Sequence, residues 1–431
     1  MGDEQRVRRE ISVETVINFG LLGLSQVCGL LTGIVLSRML GADGLGTYLW
    51  CWSVANVLGI IAKLGLEMLL VREIAISKAQ GHWGLLRGIV RFAQRSSAGL
   101  SLVLGALAVA LGALWLDTET WHTLMVAMGV MVVMSSVGLV AAGVRGLGAV
   151  SAANVPIQGV RAVGLLGLLA LLWKGGWQLP PLAMGAHLFA WIAAWAVAML
   201  LWRRILPHEA RHASPEGPWR PWLRSSAPLL LMTSMNMLQN QASVLLLKGL
   251  ADDASTGIYG VVAQLAVVTS SVLIVLNSVI LPRFAVLHAA GRRRELQSLV
   301  SFAAVVSTAA SGLFTAAMIA LGPTVLSLYG EGFEAGLPAL LVLLVGQSVA
   351  AVAGSVTQLM VMTGHERELG GWSILSAGLS IALNGLLIPQ FGLVGAALAT
   401  GTVLVVINAI LVVRVRQLLG LDSTVFGVFT R

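Results

Sequence analysis

Charge is scarce in this chain: Asp, Glu, Lys and Arg together make up 11% of its 431 residues. A soluble domain carries about a quarter, so water is excluded as the main solvent. Cysteine is scarcer still. The two present, Cys28 and Cys51, both fall in apolar runs, which supports neither a disulfide framework nor a metal site. No GxxxxGK[ST] sequence occurs, so direct ATP hydrolysis lacks its phosphate-binding loop. Aromatic platforms are not interleaved with the basic residues, so the net charge of +8 does not point to nucleic acid. Anionic membrane lipids are the expected partner of that charge. The start, MGDEQRVRRE, leads into an apolar run too long for a cleaved h-region and without a clear cleavage site, so the first helix is expected to be retained.

What the chain has in abundance is apolar residues, 57% of the total, with a mean hydropathy of +0.88. About 20 such residues in a row cross a bilayer as a helix. The runs predict twelve spans, at 15–37, 45–70, 96–116, 123–142, 156–173, 182–202, 227–247, 255–281, 299–321, 336–360, 372–388 and 392–413. The expected fold is therefore all-α, a polytopic membrane protein with both ends on one side.

Basic residues resist translocation and collect in cytoplasmic loops. On the side of the termini lie Arg6, Arg8 and Arg9, Arg72, Lys78, Arg87, Arg91 and Arg95, Arg145 and Arg161, Arg203 to Arg224, Arg283 and Arg292 to Arg294, Arg367, Arg414, Arg416 and Arg431. On the other side lie Arg38, Lys174 and Lys248, among Asp43, Asp117, Glu119, Asp252, Asp253, Glu331 and Glu334. Both termini are therefore expected to be cytoplasmic, in the cytoplasmic (inner) membrane. Arg87, Arg91 and Arg95, at four-residue steps, fit an interfacial helix gripping anionic lipid.

A long polar loop halves the chain, giving an N-lobe at 1–202, an inter-lobe loop at 203–224 and a C-lobe at 225–431. Short matches recur between the halves, as in Arg38-Met39-Leu40 against Lys248-Gly249-Leu250, and suggest a duplicated six-helix lobe. Parallel repeats of this kind place a substrate cavity between the lobes of transporters. Each lobe opens with a helix bearing a polar stripe: Asn18, Ser25, Gly29 and Thr32 in the first, Thr233, Asn236, Asn240 and Ser243 in the seventh. Polar side chains avoid lipid, so the stripes face either a wet cavity or, as helix-to-helix glue, other protein.

Charge inside the membrane is the sharper signal. In the second span Asn56, Lys63 and Glu67 share a face, and Lys63 with Glu67 is an i,i+4 pair. It reads either as a structural ion pair or as a binding or ion-coupling element, with Glu67 the candidate for coupling. The positions matching them in the eighth span are Ile274 and Ser278, so any handling of ions is expected to be asymmetric. Arg38 and Lys248, at the outer ends of spans one and seven, could hold a diphosphate or snorkel to headgroups. His187 reads as a proton carrier or a hydrogen-bonded packing element.

The segments SRMLGADGLGTY (37–48), LGLEMLLVREIA (64–75), LYGEGFEAGLPAL (328–340) and LNGLLIPQFGLVGAALAT (383–400) resemble the polysaccharide transporter family. These are the O-antigen, or lipid-linked oligosaccharide, flippases related to MATE-type multidrug exporters and to lipid II flippases. The resemblance implies two pseudo-symmetric six-helix lobes forming a V, a central cationic cavity, and alternating access that moves an undecaprenyl-diphosphate sugar to the outer leaflet. By position Arg38 matches the family's basic residue at the end of helix one, and Lys63 would sit at the cavity's inner half. The family has no catalytic motif to carry over, and neither enzyme activity nor a cofactor is expected. Glycosyltransferases or a polymerase would be its partners. Energy would come from an ion gradient, the membrane potential or consumption of the product.

Three rivals are weighed against this. A MATE-like multidrug or cation antiporter would need acidic residues, and Glu67 is the clear intramembrane carboxylate. A major-facilitator transporter would carry a basic loop signature that 72–95 lacks. A membrane-embedded polymerase or ligase of lipid-linked glycans would need catalytic groups in the outer loops, which are short and without clustered His, Arg and carboxylate.

Overall fold

Apolar runs of this length in hydrocarbon must satisfy their own backbone hydrogen bonds, and helices do so within one segment. The structure, a computed structural model, describes the backbone of residues 2–429 and side chains over 16–427 except at 272, 274, 275, 278, 279, 282, 285 and 366. The side chains of Arg6, Arg8, Arg9, Ile274, Ser278 and Arg431 lie outside the described residues. All regular elements among those described are helical.

In chain order they are α1 (Gly2–Ala62), α2 (Leu66–Gln80), α3 (Trp83–Trp115), α4 (Thr118–Gly146), α5 (Val150–Asn154), a π-helical turn (Val155–Val160), α6 (Arg161–Lys174), α7 (Pro180–Ile205), α8 (His208–His212) and α9 (Trp219–Leu250). There follow α10 (Asp253–Val268), α11 (Ser271–Ala289), α12 (Arg293–Ser327), a 3-10 turn (Phe333–Gly336), α13 (Leu337–Ala353), α14 (Val356–Met362), α15 (Glu366–Leu419) and a final 3-10 turn (Val425–Phe429). Two of these hold two crossings each. α1 is broken at Gly41 (φ 68°, ψ −174°) and α15 at Gly392 (φ 53°, ψ −128°). A side chain rarely tolerates such backbone, whereas glycine does. At the second break the chain folds back so tightly that a Cβ on Gly395 would lie 2.2 Å from the carbonyl oxygen of Leu387.

Among the described residues, eight helices are long and apolar enough to cross a membrane. Counting the two breaks as reversals, and adding α9 and the α10–α11 pair, the twelve expected crossings are present. α9 falls short on apolarity because it carries Thr233, Ser234, Asn236, Gln239, Asn240, Gln241 and Ser243. Two helices, α4 and α10, are capped where the sequence supplies acid: Asp117 accepts from Thr120 N (3.0 Å) and Asp252 from Ser255 N (2.6 Å).

The chain divides into two compact units, one of Met1–Leu40 with Thr47–Met237, the other of Gly41–Gly46 with Leu238–Arg431. In the first unit α4 is central. Its most apolar stretch is 61% buried against 22% in α3, whose Leu102, Leu107, Leu111 and Leu114 remain exposed as a lipid-facing stripe. α4 packs mainly on α7, α3 and α2. Contacts fix the direction of the second crossing: Cys51 lies at Thr120, Lys63 and Glu67 at Gly138, and Ile74 at Gly146, so it runs parallel to α4. Asn18 lies at Ser151 and Asn154, and Leu21 at Gly159, so the first crossing runs parallel to the fifth.

In the second unit α13 packs on α15 and α12. Small residues permit the closest approach, as where Gly346 meets Gly401. Ser307 donates to the Ala351 carbonyl (3.2 Å) and Ser311 to Ser348 (3.3 Å), tying α12 to α13. Within lipid no hydrophobic force drives helices together, so such packing and hydrogen bonds carry the association.

Candidate functional site: intramembrane polar groups

Regular helix is interrupted at membrane depth in several places, and each interruption lies beside a polar side chain. Between α1 and α2 the chain passes through Lys63, Leu64 and Gly65, with Leu64 at φ 54° and Gly65 at φ 68°. A branched aliphatic residue in the left-handed region is strained. Lys63 Nζ donates to Glu67 Oε1 at 3.0 Å across this break, the side chains 14% and 34% exposed. The carboxylate rests against α4, where a Cβ on Gly138 would come within 2.2 Å of Glu67 Oε1. Gly138 thus makes room for a charge that lipid would reject. Asn56 does not join this pair and donates to the Trp52 carbonyl of its own helix (2.8 Å).

The second interruption is the π-helical turn 155–160, which ends at Arg161. The sequence placed Arg161 among the residues of the cytoplasmic side. In the structure Arg161 lies inside the apolar helical stretch Val150–Lys174, within the predicted span 156–173, and helix continues back from it through the π turn to Val150. π turns are rare and gather at functional positions. Arg161 Nε donates to the Ile157 carbonyl (3.1 Å), and its guanidinium carbon sits 5.3 Å from the centre of the Trp191 ring. Such a cation–π contact stabilises a desolvated charge by about 2 kcal/mol.

Beside it on α7 is His187, buried and hydrogen-bonded through Nδ1 to the hydroxyl of Tyr48 (2.7 Å). The His187 ring lies 4.3 Å from that of Trp52 and 6.5 Å from that of Trp191. Of the two readings of His187, this geometry is that of a satisfied packing element at Nδ1. Nε2 of His187 and Nε1 of Trp191 have no protein partner among the described residues. No sequence spacing joins Tyr48 to His187, since they lie 139 positions apart. An arginine within an apolar run was the signal available for Arg161.

On the first stripe, Asn18 donates to Ser151 Oγ (3.1 Å) and accepts from Asn154 Nδ2 (2.8 Å). Ser25 and Gly29 are half-buried and Thr32 is buried. Arg38 is exposed at the end of its crossing.

The second unit presents a neutral counterpart. Ser243 Oγ donates to Asn384 Oδ1 (2.9 Å) and lies 2.9 Å from Thr400 Oγ1, which lies 2.8 Å from the Tyr259 hydroxyl. Asn384 Nδ2 donates to the Ser380 carbonyl (2.8 Å). The network joins α9, α10 and both crossings of α15. Earlier on α9, in the part that belongs to the first unit, Thr233 and Asn236 bond back to Leu229 and Met232 carbonyls (2.8 and 2.9 Å), and Asn236 and, beyond it, Asn240 are exposed. Lys248 forms an ion pair with Asp253, its side chain 12% exposed. Its charge is thus already partnered. Both cysteines are buried thiols outside any disulfide, and no group of metal-ligating side chains forms among the described residues.

Comparison with known proteins agrees with this architecture. A family described as "Polysaccharide biosynthesis protein" matches residues 14–288. Among solved structures, an inward-facing multidrug resistance MATE family transporter of the MOP superfamily is similar with a TM-score of 0.73 at 13% identity, over 94% of this chain and 97% of that one. The lipid II flippase MurJ, in an inward closed conformation, is similar with a TM-score of 0.73 at 11% identity, over 94% of this chain and 87% of that one. A MOP superfamily transporter from Pyrococcus furiosus, described as having a binding pocket of reverse polarity, gives a TM-score of 0.60 at 14% identity, covering 94% of each chain. No curated protein sequence matches the chain.

Proposed function

From the premise that the chain belongs to the polysaccharide biosynthesis protein family, we propose that it is a flippase moving a lipid-linked oligosaccharide of the undecaprenyl-diphosphate type across the cytoplasmic membrane by alternating access. The family match over residues 14–288 carries this reading, and the fold shared with a lipid II flippase supports it. A sugar headgroup cannot cross hydrocarbon without a wet path, whereas its lipid tail can stay in the bilayer. The protein then acts as a transporter and not as an enzyme, with both termini cytoplasmic and two repeated six-helix lobes, 1–202 and 225–431. Glycosyltransferases or a polymerase would supply and consume the cargo.

In this reading the polar stripes of both sequence halves line the path: Asn18, Ser25, Thr32 and Asn56 in the first half, Asn236, Asn240 and Ser243 in the second. Arg161 and Lys63 supply positive charge to the cargo's phosphates, with Arg38 and Lys248 at the outer ends. A MATE-like cation antiporter would share the scaffold. Glu67, the carboxylate it would use, is bound to Lys63, which favours the anionic cargo. Substitution of Arg38, Lys63, Arg161 or Lys248 by Gln, followed by the appearance of labelled lipid-linked sugar at the outer leaflet, tests the assignment. Slower flux at normal protein level is expected for Lys63 and Arg161 above all, and unchanged flux in all four variants would remove these residues as binding groups.

A further inference from the structure

The chain end of the second unit is built as a clasp. Asp422 binds the side chain of Gln297 on α12 twice: its N–H donates to Oε1 (2.9 Å) and its carbonyl accepts from Nε2 (2.7 Å). The Asp422 carboxylate accepts from Arg416 (2.7 Å) and from the hydroxyl (2.7 Å) and N–H (2.9 Å) of Thr424. The segment 420–427 is thereby held against the first turns of α12, and it walls a cavity of about 1500 Å³.

The lining is two-sided. Arg293, Arg294 and Arg416 face the cavity with a single carboxylate, Asp422, among its lining residues. Asp422 is engaged by Arg416, while neither Arg293 nor Arg294 has a side-chain acceptor among the described residues. Further along the same helix the lining becomes apolar through Phe302 (56% exposed) and Val305 (38% exposed), and Leu313 continues that face at 75% exposed. Ser298 lies between the cationic and apolar parts. A water-filled anion site has no use for the apolar floor, and arginines that only marked the end of a span would not need to line a cavity with it. A phosphodiester headgroup with acyl chains meets both, since guanidinium binds phosphate oxygens in pairs and the chains lie on α12.

We propose that this cavity is a binding site for one resident anionic phospholipid, its phosphate held by Arg293 and Arg294 and its acyl chains laid along Phe302, Val305 and Leu313. The site is separate from the intramembrane polar groups and stands whether or not the cargo is a lipid-linked sugar.

The test is native mass spectrometry of the full chain in neutral detergent, titrated with phosphatidylglycerol or with phosphatidylcholine of the same acyl chains. Phosphatidylglycerol should bind at least about tenfold more tightly, and the preference should vanish in the double variant R293Q/R294Q. Phe302→Ala keeps every charge and is expected to weaken phosphatidylglycerol several-fold; inorganic phosphate at millimolar concentration should not displace the lipid. Equal retention of the two lipids, undiminished binding in the double variant, or displacement by inorganic phosphate together with an unaffected Phe302→Ala would overturn the proposal, the last by showing a site for free anions. If the double variant does not fold, the Phe302→Ala result and the phosphate competition decide alone.

Discussion

The two units solve the same problem, polar groups in hydrocarbon, with different chemistry. The first holds formal charge: the Lys63–Glu67 pair against Gly138, and Arg161 on the face of Trp191. In the second, the intramembrane network of Ser243, Asn384, Thr400 and Tyr259 is neutral, and its ion pair of Lys248 with Asp253 sits at a helix end. Neutral hydrogen bonds between membrane helices contribute about 0.6 kcal/mol each. A charge left alone there costs several kcal/mol. The comparison teaches that the first unit keeps formal charge among apolar helices by giving each charge a partner, while the second uses its polar groups chiefly to tie helices together.

The largest expected effect is on transport. Arg161→Gln removes the guanidinium but leaves an amide of similar reach, and flux of labelled lipid-linked sugar should fall at least about tenfold, the loss expected for a charged hydrogen-bonding group at a binding site. Asn384→Ala in the second unit should leave flux within about twofold. Equal losses in the two variants would break the comparison.

Next comes the ion pair. Lys63→Gln leaves Glu67 unpaired and should destabilise the chain by about 2 kcal/mol in thermal unfolding. That is less than the roughly 3–5 kcal/mol of a fully buried pair, since Glu67 keeps 34% exposure. The double variant K63M/E67M should recover most of the stability but not the flux. Gly138→Ala sets a Cβ at 2.2 Å from Glu67 Oε1, so the carboxylate must swing away, with an expected cost of about 1–2 kcal/mol.

Smaller still is Ser243→Ala, expected to cost about 1 kcal/mol, because Asn384 Oδ1 loses a donor while its amide stays bound to Ser380. The weakest is pH dependence at the clasp. Burial raises the pKa of Asp422, but its bonds from Thr424 and Arg416 outweigh that and hold the carboxyl below the usual 3.8. A depressed folded pKa stabilises the clasp above the unfolded value, and the gain is lost as pH falls from about 4 toward the folded value. Hydrogen exchange of 420–427 should rise below about pH 4 and stay level between pH 5 and 8.

Crossings were legible in the sequence wherever about 20 apolar residues ran together, and α4 and α7 fall where the runs placed them. The breaks at 63–65 and 354–355 were not, because their geometry depends on neighbours distant in the chain. Arg161 falls in the predicted span 156–173; what the sequence did not show is that helix extends back to Val150, where Ser151 and Asn154 pack on the first crossing through Asn18. The pair Lys63–Glu67 was readable from its i,i+4 spacing. Its pocket at Gly138, some 70 residues on, was not.

The most direct measurement of the central claim is translocation in vesicles holding the purified chain and a labelled lipid-linked oligosaccharide, with outer-leaflet label read by an impermeant probe. The account predicts protein-dependent exposure of the label that Arg161→Gln slows at least about tenfold while Asn384→Ala leaves it near wild type. Exposure no faster than in protein-free vesicles, with uptake of an organic cation by the same preparation, would contradict it.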